Sequence, residues 1–173
     1  MNRIMKVIIT ILIVISFFSC DKGIAPKEDT EARGFSGTIT FIGDWPAGVR
    51  RTHIVLFKNP LNGADDFNIF NLKYVSAEIP NGSETYTYNT TETAVIPESG
   101  YLDAGDYSYL AVGQSETLEL SLNRPDWFVA GLYFAEGSST QPGTVTVSEG
   151  IILENVNIIC DFDNPPPQPP GGN

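Results

Sequence analysis

Phe35-Ser36-Gly37-Thr38-Ile39-Thr40-Phe41 alternates apolar and polar side chains with a period of two. That is the repeat of a strand with one face buried and one face wet. The same repeat recurs along the chain. Tyr86 and Tyr88 alternate with Thr85 and Thr87. Leu118, Leu120 and Leu122 alternate with Glu119 and Ser121. Val145 and Val147 alternate with Thr144, Thr146 and Ser148. Each stretch predicts a half-buried strand. Ile54-Val55-Leu56-Phe57 and Trp127-Phe128-Val129-Ala130-Gly131-Leu132-Tyr133-Phe134 are apolar throughout and suit central strands covered on both sides. Turn signals part these runs: Gly43-Asp44-Trp45-Pro46, Asn59-Pro60, Pro80-Asn81-Gly82-Ser83, Arg124-Pro125-Asp126 and Gln141-Pro142-Gly143. The pattern predicts one all-β domain over 35–163, an antiparallel sandwich of roughly seven to nine strands.

One segment reads two ways. In Ala64–Val75, Asp65 and Asp66 can cap a helix, with Phe67, Phe70 and Tyr74 near helical spacing. Phe67 with Ile69, and Phe70 with Leu72, fit strand alternation equally well.

The ends differ from this domain. Asn164–Asn173 contains Pro165-Pro166-Pro167-Gln168-Pro169-Pro170-Gly171-Gly172, which cannot form a helix or sheet. The expectation is an extended, disordered tail. At the other end, Arg3 and Lys6 precede Val7–Phe18, an apolar run interrupted only by Thr10 and Ser16. The run has the length of a secretory signal and falls short of the roughly 20 residues that span a bilayer. Ser16-Phe17-Phe18-Ser19-Cys20 closes it and resembles the lipobox of bacterial lipoproteins. Ser19 and Cys20 match, while Phe17 and Phe18 replace the usual Leu and small residue. The resemblance implies cleavage of 1–19, fatty acylation of Cys20, and a membrane anchor of two or three acyl chains, which is stable where one is marginal. Residues 20–34 then read as a polar tether.

Within that tether, Asp21, Glu28, Asp29 and Glu31 resemble a surface-export signal of some Gram-negative groups. Asp21 directly after the cysteine also resembles an inner-membrane retention signal of enteric bacteria. The expected location is the cell envelope, on the outer rather than the inner membrane, with the leaflet left open.

Three further places resemble the transthyretin-like or carboxypeptidase-regulatory-like β-sandwich group. They are Gly37–Phe41, Leu102-Asp103-Ala104-Gly105-Asp106-Tyr107-Ser108-Tyr109-Leu110-Ala111-Val112, and Val145–Val147 through Leu153–Ile158. In the second, Gly105 permits a turn and Tyr107 and Tyr109 are expected on one face. The resemblance implies an immunoglobulin-like sandwich and no particular activity.

Composition bounds the partners. Loss of 1–19 removes Arg3 and Lys6 but no acid, so 10 basic and 21 acidic side chains become 8 and 21, a net charge of −13. Such a chain lacks the clustered cations that bind nucleic acid.

Catalytic and metal-ligating groups are sparse. His53 is the only histidine, and Cys160 the only cysteine besides Cys20. They do not supply the roughly four nitrogen or sulfur ligands of a zinc site. Val156, Ile158, Cys160 and Phe162 share strand parity, which reads Cys160 as a buried apolar residue. Asp161-x-Asp163 and Asp103-x-x-Asp106 fall short of the six or so oxygens calcium takes. No metal, cofactor or catalytic residue is expected. Trp45 and Trp127 flank turns, where aromatic rings either stack on sugars or plug the end of a sandwich core. The sequence therefore predicts a non-enzymatic accessory, structural or binding domain. Its partner would be an envelope protein or, through Trp45 and Trp127, a glycan. A hydrolase using paired carboxylates is the remaining alternative.

Overall fold

The computed structural model describes residues 32–92, 94–97 and 101–172. The expected signal segment, Cys20 and most of the expected tether lie outside them. Among the described residues eleven strands form: β1 (Gly34–Ile42), β2 (Arg51–Phe57), β3 (Leu72–Ser76), β4 (Thr85–Asn89), β5 (Ala94–Ile96), β6 (Gly105–Tyr107), β7 (Tyr109–Ser115), β8 (Phe128–Leu132), β9 (Val145–Val147), β10 (Ile152–Leu153) and β11 (Ile158–Asp161). Seven have four residues or more, and the rest are two- or three-residue pieces.

The strands make an all-β sandwich. One sheet centres on β1, which pairs antiparallel with β4 and parallel with β10 and β11. The other runs β5-β3-β2-β7-β8, entirely antiparallel. β6 and β9 form a small antiparallel ladder of their own. The parallel pairing of first and last strands departs from the fully antiparallel expectation. Between β10 and β11 the chain turns through Asn155 at φ 63°, and the Asn157 side chain accepts the Thr38 N–H at 2.8 Å where a ladder carbonyl would stand.

Period two places the core. Phe35, Ile39 and Phe41 of β1 meet Ile54 and Leu56 of β2, Leu110 and Val112 of β7, and Val156, Ile158 and Cys160 on the β11 side. Gly37 holds the same parity without a side chain, because a Cβ there would fall on the Val156 carbonyl. The apolar run of β2 is buried on both faces, as its sequence requires. Phe57 joins Leu61, Leu72, Val75, Tyr109, Ala111 and Val129 in a second cluster on the outer face of the five-stranded sheet. The run of β8 is also covered on both faces, but β8 is an edge strand rather than a central one.

Three further expectations are corrected, and the segment that read two ways is resolved. Leu118–Leu122 is not a strand. Its carbonyls serve side chains instead: Leu118 O accepts from Arg51, Glu119 O from Thr117 and Ser121 O from Trp127. The three leucines are left 69, 38 and 54% exposed.

Tyr107 and Tyr109 face opposite ways, one in the core between the sheets and one in the outer cluster. At Ser108, whose N–H bonds to Lys58 O, the chain leaves the β6–β9 ladder and enters the large sheet.

The ambiguous segment forms one 3-10 turn at Ala64–Asp66 and then β3. Asn68 and Asn71 side chains take the backbone groups a helix would need.

The proline tail is docked rather than disordered. Pro166 and Pro169 are buried, and Gln168 bonds to Val129. Prolines carry no N–H, so they can lie against a sheet without stranding a donor. Gly171 and Gly172 sit where a Cβ would strike Ala64 and the Arg124 guanidinium.

Candidate functional site

The two tryptophans singled out in the sequence gather at one end of the sandwich, but neither stands free. Trp45 enters just after β1 and stacks within an aromatic trio. Its ring centroid lies 4.7 Å from Phe41 and 5.3 Å from Phe162, and its indole N–H donates to Ser83 O at 3.1 Å. It closes the core and retains partial exposure. Trp127 is buried, with its N–H donating to Ser121 O at 2.8 Å. Its ring covers Gly113, where a Cβ would come within 3.2 Å, and stands edge-on to His53 at 6.2 Å. Both indoles are therefore spent largely on packing.

Beside Trp127 opens a cleft of about 620 Å³, within the usual range of ligand pockets. The β1–β2 connection supplies Pro46 and Val49. The end of β7 supplies Gln114, Ser115, Glu116 and Thr117. The turn before β8 supplies Pro125 and Asp126, the first residue of β8 is Phe128, and Phe162 completes the wall. Phe128 is 40% exposed. Asp126 is engaged, accepting from Ser121 Oγ and from Asn123 Nδ2 at 3.3 Å. Gln114 is buried and shares the parity of Leu110 and Val112. Its Nε2 reaches Thr52 Oγ1 at 3.5 Å, and its Oε1 has no protein partner. A buried amide oxygen left unpaired costs about 1–3 kcal/mol.

Sequence reasoning missed Gln114, Glu116, Phe128 and Phe162. The legible signal was Gln114, a long polar side chain at a core position of an otherwise apolar strand. Phe162 was read only as core, and the loops that bring it to Phe128 are far apart in sequence.

His53 and Cys160 are not among the residues that line this cleft. His53 lies within β2, 2% exposed, and its Nδ1 bonds to Ser76 O at 2.9 Å. Burial holds its pKa below the ordinary histidine range, so the ring is neutral. Cys160 is fully buried, and burial pushes its thiol up to about 12.

Of the four acids considered for calcium, the carboxylates of Asp161 and Asp106 are engaged locally. Asp161 accepts from the Asp163 and Asn164 N–H groups, Asp106 accepts from Thr146 Oγ1 at 2.7 Å, and Asp103 O accepts from Tyr107 Oη at 2.7 Å. Among the described residues no three His, Cys, Asp or Glu side chains are grouped to hold a metal, and no helix is long and apolar enough to cross a membrane. No family model matches the chain, and no curated protein or solved structure is significantly similar to it.

Proposed function

We propose that this chain is a lipid-anchored protein of the bacterial cell envelope whose β-sandwich is a non-catalytic binding module, presenting the end cleft to its partner. The observation that carries the binding reading is the cleft's make-up. Exposed Phe128 and half-buried Phe162 stand beside Glu116, Thr117 and the buried amide of Gln114 in one 620 Å³ concavity. Apolar walls with a few fixed polar groups are the usual composition of a ligand site. The non-catalytic reading is supported by the placement of His53 and Cys160 as buried packing residues, and by Asp126 being taken up in its own turn. The anchor reading rests on Ser19-Cys20 and the apolar run before it.

A glycan is the second reading, favoured by Phe128 lying on the same wall as Glu116 and Thr117. Sugar rings stack on aromatic faces while their hydroxyls donate to carboxylates. In that reading Trp45 supports Phe162 from behind and Trp127 backs the cleft, so neither is the stacking platform.

A glycan array with wild type, Phe128→Ala and Glu116→Gln separates the readings. Binding lost in both variants establishes a sugar site. Silence on the array, together with crosslinking of an envelope protein to a photoreactive residue placed at Thr117, establishes a protein partner. A hydrolase screen is expected to stay at background, and turnover abolished by Glu116→Gln or Asp126→Asn would overturn the non-catalytic reading. Mass spectrometry of the mature N-terminus is expected to find acylated Cys20, and an unmodified start elsewhere would refute the anchor.

A further inference from the structure

Trp127 also walls a second space, on the outer face of the five-stranded sheet. Its floor is Val55, Val75 and Val129, and its roof is Leu120, Leu122 and Pro169 of the docked tail. The lining is almost wholly apolar, yet two buried polar atoms without a protein partner belong to it: Tyr109 Oη and Arg124 Nε. Arg124 is 5% exposed, and its two terminal nitrogens are held only by the carbonyls of Trp127 and Pro169. Its guanidinium lies 5.9 Å over the Phe67 ring, and among the described residues no carboxylate pairs with it. A cation buried without a counter-ion is costly, and an arriving anion offsets that cost. Burial pushes the Tyr109 phenol up to about 12, so it remains a hydrogen-bond donor at neutral pH.

Residues 116–123 have no regular secondary structure, and Leu118, Leu120 and Leu122 are substantially exposed. The tail is clasped to β8 through Gln168. As it stands the closed space, about 40 Å³, holds no more than a water or two.

We infer that this cavity is a binding site for a hydrocarbon chain or ring bearing one carboxylate. The hydrocarbon displaces Leu120 and Leu122 and lies on Val55, Val75 and Val129, while the carboxylate accepts from Arg124 Nε and Tyr109 Oη. The inference is independent of the end cleft, since the two spaces share only Trp127 of the residues it invokes.

The test uses the full chain with Cys20→Ser, which removes the lipidation site, and Trp45→Phe, which leaves Trp127 as the only tryptophan. Octanoate is titrated against Trp127 fluorescence, with octanol and octylamine as uncharged and cationic probes. The expected result is saturable one-to-one binding of octanoate at least tenfold tighter than octanol, and none of octylamine. Tyr109→Phe, which preserves the ring, is expected to weaken octanoate several-fold and leave octanol unchanged. Val55→Phe fills the space and is expected to abolish binding with the melting temperature held or raised. Gln168→Ala unhooks the tail and is expected to speed association. Equal affinities for octanoate and octanol, or no saturable change in the folded parent, would overturn the inference.

Discussion

The side-chain amide of Gln168 pairs with both backbone groups of Val129. Its Nε2 donates to Val129 O at 2.8 Å, and the Val129 N–H donates to its Oε1 at 2.8 Å. Val129 lies on β8, the edge of the five-stranded sheet, where unpaired backbone groups invite another chain. Two prolines on either side of Gln168 offer no N–H of their own. One side chain thus supplies the donor and the acceptor that a neighbouring strand would have given.

Gln168→Ala is expected to cost about 1–2 kcal/mol, the loss of two hydrogen bonds at a partly buried site. Hydrogen exchange at the Val129 amide should accelerate while amides of β2 keep their protection. Unchanged exchange at Val129 would show that the clasp does not hold in solution.

Gly37→Ala places a methyl on the Val156 carbonyl, and neither backbone can rotate away. The expected loss is about 1–3 kcal/mol by urea denaturation. Gly63→Ala is the control. Its φ is −140° and the nearest atom to a new Cβ is 3.8 Å away, so stability should hold or rise slightly.

His53 gives the stability a pH dependence of known sign. Its folded pKa is lowered, chiefly by burial, so the unfolded chain binds the proton more readily. Stability is therefore full above the unfolded value near 6.5 and falls as pH drops below it, by at most about 1.4 kcal/mol per pH unit for one proton. Below the folded pKa the loss levels off. Urea melts of wild type and His53→Gln between pH 4.5 and 8 test this. The His53-dependent slope should vanish in the variant.

Cys160 should resist a thiol reagent in the native protein at pH 8 and react once urea unfolds it, because its sulfur is fully buried and its pKa is pushed up to about 12. Labelling of Cys160 at native rates equal to a free peptide would contradict its position against β8, where Gly131 leaves room for it.

The two-residue repeat was legible wherever a strand has one core face. Phe35, Ile39 and Phe41 are buried as their parity demands, and so are Tyr88, Val145 and Val147. Leu118–Leu122 carries the same repeat and is not a strand. Parity reports which residues could share a face, but a strand also needs a partner for its backbone. Here β7 ends at Ser115, and Arg51, Thr117 and Trp127 side chains claim the carbonyls beyond it. Trp45 and Trp127 were legible as residues at turns. That their rings pack inward, leaving Phe128 and Phe162 on the cleft wall, depends on loops more than a hundred residues apart meeting at one end.

Residue order alone was enough for an all-β chain, the core parity of its longer strands, and the burial of Cys160, because alternation and side-chain type are local properties. Long-range packing was needed to set the parallel pairing of β1 with β11, the change of sheet between Tyr107 and Tyr109, and the docking of the proline tail on β8. Each of those is set by which distant segment arrives to complete a hydrogen bond or fill a face. No local pattern encodes that arrival, since a strand edge, an apolar face and a lone Gln168 amide are each satisfied by any partner of matching shape.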